Sequence, residues 1–191
     1  MSKKKKQIDV VKIYLAGDKS VNVDGIIDSF LKKRGNKDVE YEDGDKYSII
    51  EIDKKSIYLD LYNLGDNALY ASSFEEPSAF LYVYNEAKKE TFSKFEKEWL
   101  DLINEKYSLA FKVIVGNILD KNAREEITEE DIQRVREKMN AHYFKIDINN
   151  ISTVENMFIK IIDCVLKTDK QKKMEVEYED DNSCDSCCSI F

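Results

Sequence analysis

Strand-length apolar runs alternate with stretches of helical periodicity from residue 10 to residue 167, and that alternation leaves few architectures open. Residues 10–16, Val-Val-Lys-Ile-Tyr-Leu-Ala, stop at Gly17 and read as a buried strand. Ile26, Ile27, Phe30 and Leu31 then recur at helical spacing up to Arg34-Gly35, where glycine supplies a cap. After an acidic loop at 36–46, residues 47–52 and 57–61 alternate around Asp53-Lys54-Lys55-Ser56 and predict an antiparallel hairpin. Residues 79–84 are apolar on both faces, as a central strand should be. A long helix follows, with Phe92, Phe95, Trp99, Leu102 and Ile103 as its inner stripe. Residues 111–115 form another buried strand ending at Gly116, and Thr128-Glu129-Glu130-Asp131 starts a helix carrying Ile132, Val135 and Met139. Residues 143–148 alternate once more. Ser152-Thr153-Val154-Glu155 predicts a capping box before a last helix lined by Val154, Phe158, Ile161, Ile162 and Val165.

This order predicts an α/β domain: a six-stranded, mostly parallel sheet with one antiparallel hairpin strand and helices on both faces. Such sheets bind ligands beyond the carboxyl ends of their strands, here near Gly17, Asn63, Asn85, Gly116 and Asp147. The domain spans 10–167, after a basic extension at 1–9 that contains Lys3 to Lys6; the acidic segment 168–191 lacks the apolar repeat and is expected to be disordered. With 38 Asp and Glu against 30 Lys and Arg the net charge is −8, which predicts no nucleic-acid partner. No apolar stretch approaches the roughly 18 to 20 residues of a spanning helix. Three of the four cysteines fall in the last eight residues, so no disulfide framework is expected and a reducing, cytosolic setting fits. Glu125-Glu126 and Glu129-Glu130 read as surface charge near a helix start.

Several collinear segments resemble Ras-like small GTPases, and the Rab branch most closely. Gly17-Asp18 is similar to the start of the phosphate loop. Val83-Tyr84-Asn85 followed by Glu90-Thr91-Phe92 resembles V-Y-D and E-S-F, and Gly116-Asn117-Ile118-Leu119-Asp120 resembles the guanine-reading G-N-K-x-D. Thr153-Val154-Glu155 resembles N-V-E, and the chain ends in cysteines. The resemblance implies GDP or GTP with magnesium as ligands.

The departures fall on the phosphate side. A phosphate loop needs G-x-x-x-x-G-K-[ST], whose lysine neutralises phosphate and whose hydroxyl holds magnesium. Counting from Gly17 places Asn22, Val23 and Asp24 at those three positions, which substitutes an apolar and an acidic residue for a cation and a hydroxyl. Lys19-Ser20 comes too early, and residues 36–46 hold no threonine. D-T-A-G-Q is replaced by Tyr62-Asn63-Leu64-Gly65-Asp66, so Asp66 takes the position of the water-orienting glutamine and is expected to be inactive. Magnesium is not expected, Asp24 being the one candidate ligand if it is retained.

The base side is better kept. Asp120 stands where a carboxylate accepts from guanine, and Asn117 where an amide ties neighbouring loops together. Ile118 replaces the lysine along the base, and Asp147-Ile148-Asn149 replaces S-A-K, which puts Ile148 at the last base-contacting loop. The competing reading is that Asn117 and Asp120 merely cap local turns.

Cys188-Ser189-Ile190-Phe191 is an imperfect C-a-a-X in which the terminal phenylalanine favours a geranylgeranyl group, and Cys187 offers a second lipid site. The acidic tail supplies no polybasic partner for one lipid, so two anchors are expected. Inert exposed thiols and a metal knuckle of Cys184, Cys187 and Cys188 are the rivals; the only histidine, His142, lies on the sixth expected strand. Taken together, the resemblance implies a monomeric, prenylated, Rab-like protein of vesicle trafficking on the cytoplasmic face of an intracellular membrane, with a cytosolic pool. Effectors, regulators and prenylation machinery would be its partners. The substitutions predict weak or absent GTP binding and hydrolysis. A divergent but active GTPase and a nucleotide-free soluble adaptor are the alternatives.

Overall fold

The computed structural model describes residues 9–34, 39–40, 46–67 and 71–182. Seven strands form one sheet: β1 (Asp9–Gly17), β2 (Val39–Glu40), β3 (Lys46–Ile52), β4 (Lys55–Asn63), β5 (Ala79–Asn85), β6 (Phe111–Ile118) and β7 (His142–Asp147), in the order β2-β3-β4-β1-β5-β6-β7. The six principal strands are those expected; β2 adds a two-residue edge piece inside the acidic loop. β1 pairs in parallel with β4 and β5, and β5, β6 and β7 continue in parallel, whereas β3 runs antiparallel to β4. β5 is buried at every residue, as its two apolar faces require of a strand between β1 and β6.

One face packs on α1 (Val23–Arg34) and α4 (Ile151–Asn182) through Ile27, Phe30, Phe158 and Ile162, with the Phe30 and Phe158 rings stacked at 4.4 Å. The other packs on α2, a continuous helix over 89–106, and on α3 (Glu129–Met139), around Trp99, Tyr82 and Tyr107.

Four local differences from the sequence reading have physical causes. The hairpin turn is two residues, Asp53 and Lys54 at φ 49° and 65°, because a left-handed pair follows the twist of the strands better than a four-residue loop. Helix α2 contains a π turn at Phe95–Trp99, which adds a residue to one turn and rotates the stripe, so that Leu100, not Leu102, is buried beside Ile103. The capping box at Thr128 forms with Asp131. The one expected at Ser152 does not: α4 begins at Ile151, and the Thr153 hydroxyl instead accepts from the Asp147 backbone N–H at 3.1 Å. Finally, disorder is expected from Thr168, whereas the backbone of α4 continues as helix to Asn182; 169–182 contains neither glycine nor proline and is rich in lysine and glutamate, which favour that state. The glycine cap at Gly35, the Lys3 to Lys6 run and the cysteines at 184, 187 and 188 lie outside the described residues.

Candidate functional site

The site is built where β1 delivers the chain into α1. Gly17 is required there by close approach: a Cβ would sit 2.6 Å from the Val83 carbonyl oxygen. Its N–H donates to the Gly65 carbonyl at 2.9 Å, and the Leu64 N–H donates to the Leu15 carbonyl at 2.8 Å, so the turn after β4 lies directly against the end of β1. Gly65 takes φ +65°, and its N–H is answered by the Asn63 side-chain oxygen at 2.9 Å.

Around the start of α1 the Ser20, Val21 and Gly25 amides are answered from within the segment. The Asp18 carboxylate accepts from the Ser20 N–H at 2.9 Å and caps a 3-10 turn, Lys19–Val21. Asn22, left-handed at φ 56°, accepts the Gly25 N–H on its side-chain oxygen at 3.1 Å and so serves the first turn of α1. Hydrogen bonds from Ser20, the backbone one first, hold the Asp18 carboxyl below its ordinary value, with Lys94 and Lys88 adding to the effect. Val23 is 5% exposed and belongs to the apolar core under α1. Asp24 is exposed in the first turn of α1, where the helix dipole favours an acid.

Lys94, on α2, joins this loop to the turn after β4. Its ammonium lies 3.3 Å from the Asp66 carboxylate and 4.0 Å from that of Asp18. Nothing local in the sequence points to this group, because its partners come from two distant loops.

On the other side of the pocket, Asn117 is fully buried and donates from its side-chain nitrogen to the Val21 carbonyl at 3.0 Å. That is the tie between loops expected of it. Its side-chain oxygen has no hydrogen-bond partner among the described residues. Asp120 is exposed and accepts from the Asn122 N–H at 2.9 Å, closing a local turn. Ile148 is half-buried against the core. Asp147 receives Lys121 at 2.9 Å and the Asn149 N–H at 2.9 Å; chiefly the Lys121 bond holds its carboxyl below the ordinary value. Behind this loop Glu86, 2% exposed, accepts the Tyr84 and Tyr143 hydroxyls at 3.0 and 2.7 Å. Gly116 makes room for it, since a Cβ would fall 1.8 Å from the Glu86 oxygen. Burial, with Glu86 adding, pushes both tyrosine hydroxyls well above their ordinary value. The structure thus gathers Gly17, Asp18, Asn22, Val23, Asp24, Asp66 and Asn117 around one strand end, with Asp120 and Ile148 on neighbouring loops.

A parallel α/β sheet with one antiparallel hairpin, whose strand-to-helix loop is tied by a buried asparagine to the end of β6, is the frame of a small nucleotide-binding domain. A sequence profile of the Ras family matches residues 12–167, and the chain belongs to that family. Within it the similarity is to Rab proteins: it is 26% identical over 129 residues to the Ras-related protein Rab-12 of Homo sapiens, covering 64% of this chain and 52% of that protein. The Mus musculus and Rattus norvegicus Rab-12 proteins match to the same extent. The chain spans about half the length of these curated relatives. No helix among the described residues is long and apolar enough to cross a membrane.

Proposed function

We propose that the chain is a Rab-like binding module of vesicle traffic that binds guanine nucleotide weakly or not at all and does not hydrolyse it. The observation that carries this is the phosphate loop. Its Ser20 and Gly25 amides are answered by Asp18 and Asn22, so they do not point at a ligand, and Val23 is packed into the core at the position of the cation. A phosphate entering there would meet the Asp18 and Asp24 carboxylates with no lysine at 23 to offset them. The residues present therefore do not suit a magnesium–triphosphate, and Asp66 offers an attacking water no amide. Purified full-length protein, denatured and run on an anion-exchange column, should release less than about a tenth of an equivalent of guanine nucleotide; a full equivalent of GDP sinks the proposal and restores the divergent GTPase.

Protein partners would have a surface on the sheet, level with the start of β1 and away from this loop. On the face of β3 and β4 turned away from α1, Tyr47 stacks on Tyr58 at 5.4 Å and Ile49 is 54% exposed, an aromatic and aliphatic patch of the composition favoured at interfaces. Effectors and regulators would engage it. The prenylation machinery would act on Cys187 and Cys188 and place the protein on the cytoplasmic face of an intracellular membrane, with a cytosolic pool. Fractionation tests the anchor: Cys187→Ser with Cys188→Ser should shift the protein to the soluble fraction, and an unchanged distribution would favour the soluble adaptor.

A further inference from the structure

The turn after β4 is held against the phosphate loop by groups that belong entirely to the protein. Two backbone hydrogen bonds, Gly17 N–H to Gly65 and Leu64 N–H to Leu15, extend the β1–β4 pairing past the strand end. Lys94 then reaches from α2 to Asp66 in that turn and to Asp18 in the loop, at 3.3 and 4.0 Å. All three side chains are between 26% and 31% exposed, enough for water to screen the charges but not to dissolve the arrangement. An acid in each of two loops and one cation between them form a bridge that neither acid makes with the other. Asp18 is itself fixed by the Ser20 N–H, so the bridge is anchored to the loop backbone and not to a wandering side chain.

We propose that Lys94 is an internal tether of the turn after β4: it sets Leu64–Asp66 against the phosphate loop and gives that turn one standing conformation without a nucleotide. The inference rests on the functional reading above and adds to it the group that replaces the ligand as the link between the two loops. Asp18 then serves as the resident anion of the loop. A partner would read this fixed turn in one state and not two.

Hydrogen exchange on the full chain tests it, reading the amides of Gly17, Leu64 and Gly65. Lys94→Gln should raise their exchange about two- to fivefold, the scale of a partly exposed ion pair, while β5 and β6 stay unchanged. Lys94→Arg should restore the protection, and Asp66→Asn should reproduce the loss from the other side. Raising the salt to about 1 M should bring the wild type toward Lys94→Gln, because screening acts on the charges alone. Equal exchange in wild type, Lys94→Gln and Asp66→Asn would overturn the tether while leaving the functional reading intact. Addition of magnesium-GDP separates the other failure: slowed exchange at these amides in the wild type would mean that a nucleotide orders the turn, and would remove the reading on which the tether rests.

Discussion

The two ends of the pocket have kept different things. At the base end Asn117 still spans from β6 to the phosphate loop, a bond that shapes the pocket whether or not a ligand is in it. At the phosphate end the residues whose work would face a ligand are the ones replaced, and the backbone frame remains: Gly17 against Val83, a left-handed residue at 22, α1 starting at Val23. Contacts that support the fold are present, and on the proposed reading the positions that would face a ligand serve internal contacts instead. A buried tie is expensive to lose, because its partner is left unsatisfied; a ligand-facing lysine costs the fold nothing when it becomes valine and joins the core.

Rebuilding the phosphate end is the largest test of that contrast. Combining Asp18→Ala, Asn22→Gly, Val23→Lys and Asp24→Ser should raise affinity for magnesium-GDP by about 3 kcal/mol, a hundredfold or more, in a fluorescent-nucleotide titration. Val23→Lys alone should gain little, since the two loop amides stay occupied. At the base end, Asn117→Leu should cost about 1 to 3 kcal/mol in urea unfolding by leaving the buried Val21 carbonyl unanswered. Asp18→Ala removes a cap on a partly exposed loop and should cost about 0.5 to 1 kcal/mol in the same assay. The smallest effect belongs to Asp147. Its folded-state carboxyl titrates below the unfolded value of 3.8, so its contribution is present at neutral pH, fades as pH falls past 3.8 and is gone once the folded-state carboxyl is protonated. Asp147→Asn should flatten that part of the acid limb of stability against pH.

Much of this frame was legible in the sequence because local periodicity records which face is buried. Ile26, Ile27, Phe30 and Leu31 all lie in the core, and β5 is the central strand that its apolar run requires. Asn117 was readable as a tie because its position in a motif carries a role. The π turn was not, since it changes the phase of a stripe without changing its composition, and Leu100 is buried where Leu102 was expected. Lys94 was also out of reach. Among the lysines and glutamates of α2 it reads as solvated surface, and only the folded chain brings Asp18 and Asp66 to it. The Asn22 cap belongs to the same class, because its function depends on a left-handed backbone that asparagine permits but does not dictate.

Isothermal titration of the full chain, stripped by refolding, with GDP in the presence of magnesium reads whether the phosphate loop can hold a nucleotide. No saturable heat is expected with ligand up to about 100 μM, a Kd weaker than corresponds to about −5.5 kcal/mol. A one-to-one isotherm of micromolar or tighter affinity that is lost on adding a chelator would contradict it, because the Ser20 and Gly25 amides would then have left Asp18 and Asn22 to hold phosphate.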